Sequence, residues 1–118
     1  MGQYVDTNTK SFTAGAALAR GTMVKLSSDK LAAAGVADRP IGVMLDATFA
    51  DLDVGTVQLL SKAGTMQCIA ADAIVSGAVV YTAASGKVSD TAATGATELG
   101  IALEGVDNAD SLVEVMPT

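Results

Sequence analysis

The chain has 118 residues, half of them hydrophobic but only 3% aromatic, with no Trp and no His. Thirteen Asp and Glu against seven Lys and Arg give a formal net charge of -6. The basic residues are scattered singly, which argues against a phosphate backbone or an anionic membrane surface as partner. Mean hydropathy is high at +0.43, yet no apolar run approaches the roughly 18 residues of a spanning helix. A chain of this length forms one domain and buries roughly two thirds of its unfolded surface. With Tyr4, Phe12, Phe49 and Tyr81 as its aromatics, the core is built from small aliphatic side chains and Met, and oligomerisation or docking on a larger body is expected to add stability.

Taken in chain order, the opening MGQYVDTNTK lacks the apolar centre and cleavage pattern of a secretory signal. Asp6 also stands where a myristoylation motif has Ser or Thr. Residues 1–14 are expected to form an extended arm and 15–118 a single β-rich domain. AGAALAR is Ala-rich and short, consistent with at most a helical turn. Gly21 then precedes a strand from Met23 to Leu26, the SSD cluster reverses the chain, and Lys30-Leu31 begins a returning strand. In PIGVMLD the alternation puts Ile41, Val43 and Leu45 inward and Gly42 and Met44 outward. After FADLDVG a strand follows over Val57 to Leu59, and CIAADAIV is the second Ala-rich piece, with Asp72 able to cap one helical turn. Gly77, the strand Val79 to Thr82 and a turn ending in Gly86-Lys87 come next. In ELGIALE, Leu99, Ile101 and Leu103 share one face, while Glu98, Gly100, Ala102 and Glu104 share the other.

The chain reads as two copies of one pattern, at a spacing typical of internal repeats. Gly21 falls on Gly77, Met23–Leu26 on Val79–Thr82, Lys30-Leu31 on Lys87-Val88, Ile41-Gly42-Val43 on Leu99-Gly100-Ile101, and Val57–Leu59 on Val113–Val115. The halves are about 15–66 and 67–118, with the arm outside them. Short strands separated by turn signals predict an all-β fold, a small barrel or sandwich with at most one short helical turn. A glycine inside a strand at the same place in both halves implies close approach of another backbone. Gly42, Met44, Gly100 and Ala102 are therefore expected at a contact between subunits, with sheet packing or a bulge as the ordinary alternative.

Chemistry is sparse. Without His the commonest general base and metal ligand are missing, and Ser/His and Cys/His pairs cannot form. Glu98 and Glu104 share a strand face, but six residues separate them by roughly 20 Å, beyond the 5 to 9.5 Å of paired glycosidase carboxylates. FADLDVG fails as an EF-hand loop: counted from Asp51, the required sixth Gly and twelfth Glu are matched by Gly55 at the fifth position and Lys62 at the twelfth. VDNAD reads as a turn. The glycine spacing matches neither a P-loop nor a dinucleotide fingerprint. Lys30 and Lys87 sit at hairpin turns as carrier-domain lysines do, but the acidic residue expected before Met23 is missing. Cys68, with no basic neighbour, reads as a small buried hydrophobe, and a single Cys fits production in a reducing cytoplasm. No catalytic, cofactor-binding or metal-binding residue is assigned.

The segments TAGAALARGTMVKLSS, ADAIVSGAVVYTAASGKVSDTA and ELGIALEGVDNADSLVEVMP resemble the phage capsid cement, or head decoration, proteins. That family has a G-x-x-V-Y stretch, a turn ending in G-K-V, an I-G-x-A strand and a closing alternating strand, matched here by Gly77–Tyr81, Gly86–Val88, Leu99–Ala102 and Leu112–Val115. The opening MGQYVDTNTK departs from the family pattern. The resemblance implies a non-enzymatic, β-rich virion protein made in the host cytoplasm and copied over the outer surface of a tailed-phage head. Its partner there would be the major capsid protein, at junctions between copies. It would be a homo-oligomer, a trimer ahead of a dimer, with no nucleic-acid or membrane partner. The arm, through Tyr4, Val5 and Phe12, is expected to add a strand and aromatic anchors to the capsid protein. The rival is a recognition module of a virion fibre or head, binding glycan or host, which would require an aromatic-lined hollow built from Tyr81 and Phe49.

Overall fold

The computed structural model describes residues 9–60 and 64–118. The first half contains β1 (Thr9–Thr13), β2 (Met23–Ser27), β3 (Lys30–Ala33), β4 (Gly42–Met44) and β5 (Val54–Leu59). The second contains β6 (Met66–Ile69), β7 (Val79–Thr82), β8 (Val88–Ser89), β9 (Glu98–Ala102) and β10 (Leu112–Pro117). They form two five-stranded sheets with the orders β1-β5-β4-β2-β3 and β6-β10-β9-β7-β8, the same path drawn twice. Each sheet rolls up where its first strand ends: Ala14 bridges Leu31 in one, and Ala70 bridges Val88 in the other. The fold is thus all-β, with two small lobes rather than one shared barrel.

The repetition extends to backbone conformation. Left-handed residues recur at Gly21 and Gly77, at the hairpin turns Ser28-Asp29 and Ser85-Gly86, and at Leu52 and Asp110. Strand register makes Val57 the counterpart of Val115, since these residues face Met44 and Ala102 respectively. The sequence alignment of Val57 with Val113 is therefore out of step, and Gly55 is the true counterpart of Val113.

Two further expectations change. Thr9–Thr13 is not part of an arm: β1 pairs antiparallel with β5 along its whole length, Phe12 opposite Gly55. It is the counterpart of β6, so the repeat begins at β1, and its polar Thr and Ser are tolerated because this is a sheet edge. The Ala-rich pieces also form no helical turn. Leu18 and Ile74 instead make isolated bridges to Thr48 and Val106, and Asp72 accepts a hydrogen bond from Ser89 Oγ at 3.2 Å rather than capping a helix. Among the described residues a single short 3₁₀ turn occurs, at Ala84–Gly86.

Each lobe has its own core. Ala14, Leu18, Val24, Leu31, Met44 and Val57 fill the first. In the second, Cys68, Val80, Val88, Ala102, Val113 and Val115 are joined by Met23, Ala34 and Val43 from the first lobe, so one continuous cluster also forms the seam. The seam is pinned by Gly86 N–H donating to Ala34 O at 2.7 Å, Ile69 N–H to Gly21 O at 3.2 Å, Thr82 Oγ1 to Val36 O at 2.7 Å, and Gln58 Nε2 to Thr65 O at 2.7 Å.

Candidate interaction surface

The residues expected at a subunit contact lie inside the chain. Met44 and Ala102 are each 1% exposed, one in each core. β4 is buried on both faces, because Val43 enters the seam while Met44 enters the first core, so simple alternation does not describe it. In β9 the pairing with β7 shifts between Val80 and Tyr81, leaving Leu99 without a directly opposed partner. That bulge lets Leu99 and Ala102 both face the core and turns Ile101 outward. Gly42 and Gly100 are also buried. A Cβ on Gly42 would collide with Gln58 O, and one on Gly100 with Met116 O. The recurrent glycine is thus required by the chain's own neighbouring strand, which crosses too closely for any side chain.

Tyr4 and Val5 lie outside the described residues. Phe12 is half-buried against the first core, with Lys10 Nζ 5.9 Å from its ring centroid. Cys68 is fully buried 3.8 Å from Met23 Sδ, and burial pushes its thiol pKa up to about 12. It is the small core residue expected, not a nucleophile.

The acidic positions weighed for calcium have other work. Asp53 Oδ2 accepts from the backbone N–H of Phe49 at 2.9 Å and of Ala50 at 3.1 Å, closing the loop between β4 and β5. Asp51 pairs with Lys30 at 3.1 Å and Asp110 with Lys87 at 2.6 Å, so each hairpin lysine ties down the loop preceding the last strand of its lobe. Among the described residues no group of three or more carboxylates or Cys is arranged to hold a metal. A cleft of about 400 Å³ lies along the seam, lined by Arg39, Pro40, Leu60, Glu98, Leu99 and Pro117. Tyr81 and Phe49 belong to different lobes, and neither lines that cleft.

What the loop closed by Asp53 displays is apolar: Phe49 is 83% exposed, Leu52 65% and Val54 68%. Leu52 is held at φ 74, a conformation that costs a side-chain-bearing residue roughly 1–2 kcal/mol. Its N–H donates to Ala14 O at 2.8 Å, which fixes the tip against the sheet. An ordered, strained, solvent-facing apolar tip is the most distinctive surface of the molecule, because burial would favour such residues and exposure does not. Sequence reading passed over it because FADLDVG draws attention to its carboxylates, and only the hydrogen bonds reveal that Asp53 turns back on the Phe49 and Ala50 N–H groups to close the loop.

The chain is thus a duplicated all-β fold that presents apolar side chains on a braced loop. The sequence pattern of phage cement proteins matches residues 4–117, and the chain belongs to that family of virion structural proteins. No curated protein matches it in sequence. Among solved structures, the head fiber gp8.5 N base of bacteriophage phi29 superposes with a TM-score of 0.76 at 19% identity, covering 93% of this chain and 92% of that one. At that identity the likeness concerns the fold.

Proposed function

We propose that the protein decorates the outside of a tailed-phage head, binding at junctions between major capsid proteins and stabilising the shell. Family membership over nearly the whole chain carries this reading. The Phe49, Leu52 and Val54 tip supports it as the surface that meets the shell, since docking would remove from water the apolar groups left exposed in the free chain. The net charge of -6 keeps the unassembled protein soluble. Residues 1–8 remain the proposed site of a second contact, with Tyr4 and Val5 as anchors reached from the edge strand β1.

Co-sedimentation with expanded capsids lacking the protein tests the reading. Saturable binding at a fixed ratio to the major capsid protein is expected, together with capsids that resist heat or low salt longer when decorated. Removal of residues 1–8 is expected to weaken binding, and unchanged affinity would eliminate the arm as a contact. The likeness to a head fiber base favours a second reading, in which the domain roots a longer assembly on the head. Saturation confined to a few sites per capsid would select that reading.

A further inference from the structure

The first lobe leaves open a place that the second lobe occupies with polar side chains. A hollow of about 430 Å³ lies between the β2–β3 turn and the loop that carries the exposed tip, lined by Gly15, Ala16, Ser28, Lys30, Ala32 and Asp51. Bridging fixes the correspondence between lobes: Ala14 meets Leu31 as Ala70 meets Val88. Ala71, Asp72 and Ser89 therefore take in the second lobe the places of Gly15, Ala16 and Ala32. There Ser89 Oγ donates to Asp72 Oδ1 at 3.2 Å, so two bonded polar side chains stand where the first lobe has two alanine methyls. Gly15 clears the floor further, since a Cβ on it would lie 3.2 Å from Leu31 O and 3.4 Å from Lys30 Cβ.

The hollow and the tip are one surface. Leu52 N–H is held by Ala14 O, the residue beside Gly15. Asp51, which lies in the chain between the exposed Phe49 and Leu52, lines the hollow. Charge around it is one-sided: Asp29 at the turn and Asp51 in the wall, with Asp46 and Asp53 further along the loop, stand against Lys30, the one cation lining the hollow among the described residues. Lys30 Nζ meets Asp51 Oδ1 at 3.1 Å, but the two side chains are 39% and 59% exposed, and an ion pair so open to water is easily parted.

We infer that the hollow receives a cationic side chain of the partner that meets the tip, an arginine whose planar fork bonds Asp51 and the Ser28 hydroxyl while its stem lies over Gly15 and Ala16. A lysine would match the charge but offers no fork. The inference rests on the reading of the tip as a contact with the shell and adds the chemistry of the opposing face: an apolar recess with a guanidinium beside it. Lys30 competes with that guanidinium for Asp51, so the chain's own ion pair tempers the contact.

The hollow is tested without capsids by titrating acetyl-arginine amide into the isotope-labelled chain and following its amide NMR signals, beside the lysine and citrulline analogues. Saturable shifts at Gly15, Ala16, Ser28 and Asp51 are expected with arginine, weaker ones with lysine, and none with neutral citrulline. Asp51→Asn is expected to weaken arginine binding about tenfold or more, the loss of a charged hydrogen bond, whereas Lys30→Gln is expected to tighten it severalfold. Thermal melts verify that both variants, altered at exposed positions, are folded. The opposite signs are decisive, because a pair that merely braced the loop would make the two variants change alike. Arginine that produces no saturable shift, or citrulline that binds equally, would overturn the inference, as would variants that move in the same direction. Affinities for expanded capsids should follow the same order, with Lys30→Gln above wild type and Asp51→Asn below it. Wild type that binds capsids with both variants indistinguishable from it would also overturn the inference. Wild type that binds no capsid counts against the decoration reading alone, since the arginine titration decides the hollow by itself.

Discussion

The loop from β4 to β5 and the loop from β9 to β10 follow one backbone path and present opposite surfaces. Both place a left-handed residue at the same point, Leu52 at φ 74 and Asp110 at φ 67. Both donate that residue's N–H to the residue just after the first strand of the lobe, Leu52 to Ala14 O and Asp110 to Ala70 O. Asp tolerates this conformation and solvates its own turn, whereas Leu does neither. Where the first lobe has Phe49, the second has Asp107. The second loop is thus what the fold alone would choose, and the departure in the first supports the proposal that this tip meets the shell.

The cores diverge in a compensated way. Phe12 lies opposite Gly55 in the first lobe, and Cys68 opposite Val113 in the second. Met44 in one core stands where Ala102 stands in the other. A Cβ on Gly55 would fall 2.7 Å from Met44 Cε and 2.9 Å from Thr48 Cγ2, so glycine there makes room for the larger neighbour. Each lobe fills its core with a different partition of side chains over one backbone, a tolerance expected of cores that keep their hydrophobic patterning.

The comparison can be broken most severely at the feature both lobes share. Gly42→Val or Gly100→Val places a side chain on a strand carbonyl, and each is expected to cost about 3 kcal/mol or more, read as loss of a cooperative urea transition. Next comes the volume trade. Gly55→Val alone is expected to destabilise by about 1–3 kcal/mol and Met44→Ala alone by about 2–5 kcal/mol. The double variant, which gives the first lobe the second lobe's residues, should recover part of both, with a coupling of about 0.5–3 kcal/mol in a denaturation cycle. A smaller effect of opposite sign belongs to Leu52→Gly, which removes left-handed strain and is expected to raise stability by up to about 1 kcal/mol while weakening capsid binding.

The smallest effect concerns a tie found in the first lobe. Lys25 Nζ lies 2.8 Å from Asp38 Oδ2, and Tyr81 occupies the position of Lys25 in the second lobe. The hydrogen bond from Lys25, with a further one from Gly35 N–H, holds the Asp38 carboxyl below its ordinary range. A folded-state pKa below the unfolded one means the contribution is present above the ordinary Asp range and is lost as pH falls through the folded value. Asp38→Asn should therefore lower the melting temperature slightly at neutral pH and converge with wild type in acid, and parallel pH profiles would contradict the assignment.

Much of the fold was legible because it is written twice. Gly21 and Gly77, the two hairpin turns and the mid-strand glycines are local signals whose repetition separates them from chance. What escaped was tertiary. β1 has no repeat signal because Lys10 and Phe12 stand where Met66 and Cys68 stand, and an edge strand tolerates polar residues. The alternation rule failed at β4, a strand buried on both faces, and at the β9 bulge, which no periodicity announces. The tip was hidden in plain view, its Phe49 and Leu52 overshadowed by Asp51, which pairs with Lys30, and Asp53, which accepts from backbone N–H groups four and three residues away.

The most direct test gives the first tip the second tip's residues. Phe49→Asp with Leu52→Asp, titrated against expanded capsids beside wild type and an Asp107→Asn control, is expected to keep the fold and the melting temperature while binding falls about tenfold or more, the signature of a lost central anchor. Capsid affinity equal to that of wild type would contradict the claim that the first lobe's tip faces the shell.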